Sequence, residues 1–370
     1  MKPKIALLHS ETRDYRVPIF DRLNKKYDIT FYFMYGAGWS RQYPESRKWK
    51  YKDLKRIPMI GYTSDFSPGI IPKLFKDYDI IITSGLSSFA THTAYLAAKL
   101  TGKKLILWDE LWEWPSTLAA KLAKPYAKHI VKKADACIAA GTKAKEFYQS
   151  FGANPKKVFI ANNCAVDMKG KENMKRVAQL RKQLKLEGKE VILYLGRIIK
   201  YKGLDYLIRA FKQIKNKNAF LLIAGPDHGW ENECKKLAKQ LKIQNIAFIG
   251  PVPHKDVANY YKLSEVFVLP ARFLYEDNVT NEAWGLAVNE ALSLSTPVVT
   301  TTAVAAGYDM IQNGKSGYLV KERDINELQQ AIEKTLKNKK MKAEARKAFE
   351  QWNDYNKMLA GFKKAIEYVK

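Results

Sequence analysis

The chain has 370 residues, 46% of them hydrophobic, enough for full cores in two domains of ordinary size. Its 64 basic side chains against 37 acidic ones leave a net charge of +27, a field that attracts anions: phosphorylated ligands, anionic lipid or nucleic acid. No apolar run approaches the roughly 20 residues needed to span a bilayer, no nucleic-acid module signature is present, and Cys137, Cys164 and Cys234 form neither a zinc pattern nor a disulfide framework, which points to a reduced cytosol.

The start of the chain, Met-Lys-Pro-Lys-Ile-Ala-Leu-Leu-His, has an apolar run too short for a signal peptide and reads as a first strand over 4–9. His9 ends that strand and is an acceptor-site candidate. Further strands are expected at 28–33, 79–83, 104–108, 136–140 and 158–162, mostly separated by helical patterns. Residues 39–56 mix Trp39, Tyr43, Trp49 and Tyr51 with seven basic residues against Glu45 and Asp53; they read as a loop suited to a phosphorylated or lipid-linked glycan, to a membrane surface, or to plain exposure. Asp77-Tyr78-Asp79 precedes its strand rather than following one, so it reads as a strand start and not as a metal-binding Asp-x-Asp. Residues 116–133 place Lys121, Lys124, Lys128 and Lys132 on one helical stripe beside Leu118, Leu122, Tyr126 and Ile130, with a kink at Pro125. Such a helix either lies on an anionic bilayer or packs on its own sheet.

The charged run from Met168 to Lys189 reads as a hinge, dividing 1–168 from 169–354. Strands then recur at 191–196, 220–225, 246–250, 266–270, 297–301 and 317–320. The first of them ends in Gly196-Arg197 and is followed by Lys202-Gly203. In 281–301 the carboxylates Glu282 and Glu290 stand eight positions apart, with Trp284 and Gly285 between them and a helical pattern from Leu286 to Leu294. Unpaired amides near Gly285 would form the positive end of that helix, a seat for phosphate. Eight helical residues rise roughly 12 Å, so two carboxylates at that spacing suit opposite ends of one ligand with phosphates between. That is the shape of a sugar nucleotide. The closing segment from about Tyr355 is amphipathic through Met358, Phe362, Ile366 and Tyr368.

Glu-Ala-Trp-Gly-Leu-Ala-Val-Asn-Glu at 282–290, with the Ala-Leu-Ser-Leu-Ser-Thr-Pro-Val-Val that follows, resembles the signature of family 4 retaining glycosyltransferases. Trp284 stands where that signature usually has Phe. The resemblance implies the glycosyltransferase B fold: two doubly wound, Rossmann-like α/β domains facing a cleft, the tail helix of 355–370 crossing back onto the first. It implies that Arg197 and Lys202 bind the donor diphosphate, that Glu282 contacts the donor sugar, and that Glu290 holds the ribose, with Gly196, Trp284, Gly285 and Leu286 around the donor. It implies no divalent cation and no cofactor beyond the nucleoside-diphosphate sugar itself, and a glycan or lipid-linked acceptor. Nucleic acid is not an expected partner. The strands ending at Gly225 and Gly250 also look family-like. The long loop from Arg272 to Asn281 departs from the pattern.

The first domain matches only in outline. His9-Ser-Glu-Thr-Arg-Asp-Tyr-Arg16 replaces the family's glycine-rich loop, and Trp108-Asp109-Glu110 stands where many members have a histidine. Asp109 or Glu110 would contact sugar hydroxyls in its place, or cap the helix that follows. Three other readings stay open: a sugar-nucleotide epimerase on the same fold, for which no acid/base set is identified; a glycan phosphorylase, whose pyridoxal lysine context is absent; and a non-catalytic polyanion-binding protein, which leaves Glu282 and Glu290 unexplained.

Overall fold

The computed structural model describes residues 2–34, 49–54, 57, 66–275 and 281–370. The chain divides into two compact units: Met1–Trp114, Leu118–Cys164 and Asp354–Lys370 form one, and Pro115–Thr117 with Ala165–Asn353 the other. The first boundary thus falls after Cys164 rather than after Met168.

The first unit runs β1 (Lys4–His9), α1 (Val17–Lys26), β2 (Asp28–Phe33), β3 (Lys50–Asp53), α2 (Ile71–Leu74), β4 (Ile80–Ser84), α3 (Phe89–Thr101), β5 (Lys104–Asp109), α4 (Leu118–Lys133), β6 (Ala136–Ala139), α5 (Thr142–Ser150) and β7 (Val158–Ile160). Its strands form one parallel sheet in the order β3-β2-β1-β4-β5-β6-β7. Runs such as Ile80-Ile81-Ile82 are apolar without alternation because helices cover both faces of such a sheet. The winding reverses between β1 and β4, which opens a crevice at their carboxyl ends, the usual ligand position in doubly wound sheets.

Each strand expected from an apolar run forms within two residues of its expected ends, and β3 is an addition. Lys50-Tyr51-Lys52-Asp53 is polar and exposed throughout, so only its pairing with β2 makes it a strand. This corrects the reading of 39–56 as one aromatic-basic loop. Trp49 is buried in the core and donates its indole N–H to Asp21 (2.7 Å); Trp39 and Tyr43 lie outside the described residues.

The second unit runs α6 (Met174–Gln183), β8 (Glu190–Leu195), α7 (Leu204–Lys212), β9 (Ala219–Ala224), α8 (Glu231–Gln240), β10 (Ile246–Phe248), α9 (Val257–Leu263), β11 (Val266–Leu269), α10 (Leu286–Ser293), β12 (Val298–Thr301), α11 (Ala305–Met310), β13 (Gly317–Val320), α12 (Ile325–Lys337) and α13 (Met341–Trp352). Its parallel sheet has the order β10-β9-β8-β11-β12-β13, with the reversal between β8 and β11. The run expected to serve as a hinge contains the ten-residue helix α6: Asn173 caps it through the amides of Lys175 and Arg176, and Val177 and Leu180 are buried.

The closing helix α14 (Tyr355–Val369) belongs to the first unit. Met358, Phe362, Ala365, Ile366 and Val369 are all buried there, and Phe362 meets Trp108 edge-on at 4.9 Å. Gly361 sets how closely the helix approaches β7: a Cβ at this position would lie 2.2 Å from the Ile160 carbonyl oxygen. Backbone cannot give way as a flexible side chain would, so Gly361→Ala is expected to destabilise the first unit by about 1–3 kcal/mol. Thermal unfolding followed by circular dichroism measures this; an unchanged melting temperature would mean the helix docks less closely.

Candidate active site

The second unit's reversal gathers the charged residues that the sequence motifs single out. Beyond β8 the chain stays extended, with the Gly196 amide donating to the Ala224 carbonyl and the Ile198 amide to the Pro226 carbonyl (both 2.9 Å). Arg197, between them, is exposed and donates from its guanidinium to the Tyr201 hydroxyl (2.9 Å). Its own carbonyl accepts from the Tyr194 hydroxyl (2.7 Å). A single helical turn at Lys200–Lys202 then buries Lys202, whose ammonium pairs with the Glu282 carboxylate. Glu282 is fixed in turn by its backbone: its amide donates to the Ala303 carbonyl (3.1 Å), and it bridges to Val304 just past β12. A second tie comes from Arg272, whose amide donates to the Tyr201 carbonyl (2.8 Å) and whose guanidinium pairs with Asp205 (2.9 Å).

Gly285 turns the chain into α10 with φ of 96°, a left-handed conformation that glycine alone adopts without strain. A Cβ here would also lie 2.7 Å from Val304 Cγ1. No side chain caps the helix, whose first turn therefore keeps amides for an anion. Leu286 opens the helix, as the sequence motif implies. Trp284 is a correction: its ring is buried, donates to the Asn289 side-chain oxygen (2.9 Å) and stacks on Trp352 at 5.7 Å. It therefore supports the start of α10 from beneath instead of lining the donor. Asn289 continues to Asn353 (3.1 Å), which holds both the amide and the carbonyl of Ala165.

Glu290 is partly buried and accepts a hydrogen bond from the Tyr261 hydroxyl (2.9 Å). Desolvation raises its pKa above the ordinary glutamate value of 4.5, against the lowering effect of Tyr261. A raised folded pKa contributes stability that is present below pH 4.5 and lost as the pH rises through the folded value. Relative to Glu290→Gln, the parent protein should therefore lose melting temperature as pH rises from acid to neutral. Parallel pH profiles for the two proteins would mean that the carboxyl is not desolvated.

In the first unit a cavity of about 230 Å³ opens where β1 and β4 diverge, lined among others by His9, Ser10, Arg16, Ser84, Trp108 and Glu110. Burial and the charge of Arg16 push the His9 pKa down to about 3, so the ring is neutral near pH 7. Its Nδ1 lies 2.9 Å from the Glu11 carbonyl. Arg16 is buried, pairs with Glu110, donates to the Asn163 side-chain oxygen (2.8 Å) and lies over the Trp108 ring. Asp109 also lines this cavity, and the structure sets aside one of its two expected roles, that of a helix cap. One oxygen accepts from the Leu86 amide (2.7 Å), the other from the amides of Glu110 and Leu111 (2.9 and 3.0 Å), so it ties the loops leaving β4 and β5 and caps no helix. Asp77 and Asp79 serve a strand start, bonded to the side chain and the amide of Lys4. Among the described residues no three His, Cys, Asp or Glu side chains group as metal ligands.

Sequence reading passed over Tyr201, Tyr261 and Arg16. Tyr201 sits inside the Arg197–Lys202 motif and was within reach; nothing local to α9 or to the turn before α1 marks the other two.

Comparison with known proteins bears on the family and the fold. Residues 176–352 match the family described as "Glycosyl transferases group 1". An alpha-D-kanosaminyltransferase of Streptomyces kanamyceticus is 24% identical over 262 residues, 68% of this chain and 66% of that one. A capsular polysaccharide biosynthesis glycosyltransferase of Staphylococcus aureus is 31% identical over 154 residues, 41% of this chain and 38% of its own length. Curated relatives are thus matched over part of their lengths. Whole-chain likeness comes from solved structures: HepE of Anabaena in complex with UDP-glucose superposes with a TM-score of 0.75, at 16% identity, over 99% of both chains.

Proposed function

From a chain of the glycosyltransferase B fold whose residues 176–352 match the group 1 glycosyl transferases, we propose an enzyme that moves a sugar from a nucleoside-diphosphate sugar to a hydroxyl acceptor. The observation that carries this reading is the convergence of Arg197, the Lys202–Glu282 pair and the uncapped start of α10 on one switch point. Breaking a sugar–phosphate bond leaves charge on the departing diphosphate, and preorganised donors stabilise charge of that kind. Arg197 meets phosphate oxygens with a planar fork and Lys202 with a point charge. An arriving diphosphate competes with Glu282 for Lys202, which frees the Glu282 carboxylate for hydroxyls of the donor sugar. Glu290, oriented by Tyr261, holds the ribose.

Transfer proceeds with retention by a same-face substitution in which the departing phosphate takes the acceptor proton. The cations and helix amides stand in for a divalent metal, so neither metal nor other cofactor takes part. UDP is the first base to test, because HepE was solved with UDP-glucose. On the acceptor side, neutral His9 and the cavity around Glu110 suit a hydroxyl-bearing glycan, free or lipid-linked, with Asp109 shaping the loops around it. The protein works in the cytoplasm. A lipid-linked acceptor would bring it to the inner face of the membrane as a peripheral protein; among the described residues no helix is long and apolar enough to cross.

Thermal-shift measurements against UDP-, GDP- and ADP-sugars test the reading, and stabilisation by none of them would remove it. Lys202→Ala or Arg197→Ala should lower turnover on the order of 10²–10³-fold, the loss for one preorganised donor, with the fold kept. Near-parental activity in either folded variant would overturn the diphosphate assignment. Transfer should also survive excess EDTA; activity abolished by chelation and restored by magnesium or manganese would contradict the metal-free mechanism.

A further inference from the structure

Helix α4 is amphipathic along its whole length, yet only its second half packs. Ala127, Ile130 and Val131 are buried, whereas every residue from Lys121 to Tyr126 is exposed. Leu118 and Leu122 each keep 74% of their surface open and Tyr126 keeps 42%. The indole N–H of Trp114 donates to the Ala120 carbonyl (2.7 Å) and anchors this first half to its own unit. Helix α3 lies alongside: the Tyr95 hydroxyl bonds His129 Nε2 (2.8 Å), and the His92 ring stacks on Tyr126. It adds Leu96 and Leu100, exposed by 52% and 74%. Together α3 and α4 carry six lysines and no acidic residue.

Exposed leucines interleaved with lysines, on two helices with no acidic residue of their own and with Glu113 beside Lys124, discriminate between occupants. A second copy of this chain would set lysine against lysine. Nucleic acid would use the lysines and leave the leucines in water. An anionic bilayer uses both: lysine stems run along apolar surface while their ammonium groups meet lipid phosphates, and leucines enter the acyl boundary. Lys124 and Lys128 already hold their ammonium groups 5.8 Å from the Phe151 ring.

We infer that the first half of α4, with the exposed leucines of α3, is the face that docks on an anionic lipid surface. This deepens the glycosyl-transfer reading, on which it rests only for its purpose: meeting a lipid-carried acceptor. Binding itself is read without donor or acceptor.

The test is sedimentation of the full chain with vesicles of phosphatidylcholine alone or mixed with phosphatidylglycerol. The parent should sediment with the mixed vesicles only. Each lysine near the surface is worth about a fivefold change in partition, so Gln at Lys121, Lys124, Lys128 and Lys132 together should lower binding more than tenfold. Gln at Lys212, Lys239, Lys242 and Lys337 of the second unit should change it little. Leu118→Gln with Leu122→Gln should lower binding at high salt as well, where screening leaves mainly the apolar contribution; both sites are exposed, so circular dichroism should be unchanged. Equal losses from the two lysine sets, or a leucine variant that binds as the parent does, would overturn the inference. So would leucine substitutions that alter only the oligomeric state in light scattering. A parent that ignores vesicles yet is stabilised by a nucleotide sugar removes this inference alone; the converse removes the transfer reading alone.

Discussion

The ion pair of Lys202 and Glu282 joins positions 80 residues apart and holds together the two loops on which the second unit's chemistry depends. Both side chains are largely withdrawn from water. Desolvating two charges costs several kcal/mol for each ion, and mutual attraction offsets this only with good geometry and further ties. Those ties are present. The Arg272–Asp205 pair and the Arg272–Tyr201 backbone bond fix the turn that carries Lys202, while the bridge from Glu282 to Val304 fixes the other partner. A pair held this way is a poor source of stability and a good store of charge. In the proposed reaction, an anion that reaches Lys202 releases a carboxylate beside it.

Two parallel sheets place two crevices by the same rule, but the crevices differ in electrostatic character. In the second unit, exposed Arg197 and the uncapped start of α10 make the crevice hospitable to phosphate. In the first unit the buried guanidinium of Arg16 is paired with Glu110, and His9 is kept uncharged by its burial and by Arg16 itself. A chain with net charge +27 therefore presents, where an acceptor is proposed, a cavity whose single arginine is set against Glu110 and Asp109. The excess charge is spent elsewhere, on surfaces such as that of α3 and α4.

That surface also separates two uses of amphipathicity. From Ala127 onward the apolar stripe of α4 does the ordinary work of a helix on its sheet. Before Pro125 the same periodicity continues, but Leu118 and Leu122 stay in solvent while Trp114 holds the Ala120 carbonyl. Proline ends the backbone donor at that point, so the two halves divide at a residue whose chemistry separates them.

The apolar runs and their spacing determined by themselves both sheets and the helix after Gly285, because a buried parallel strand needs a continuous apolar stretch and a left-handed entry needs glycine. Arg197 and Lys202 follow a strand end, Glu282 precedes a helix start and Glu290 lies within that helix, all in stretches that local pattern marks, while the resemblance to family 4 glycosyltransferases implied their roles. Tertiary structure alone decided which way each side chain faces and what it meets. Trp284 reads as part of the donor site until packing turns its ring onto Trp352. Asp109 reads as a sugar contact or a cap until two loops deliver three amides to it. Lys50–Asp53 has no apolar pattern and becomes a strand only because β2 offers it an edge. Arg16 and Tyr261 acquire their partners across separations that no periodicity encodes, since a hydrogen bond is chosen by distance in space and not by distance along the chain.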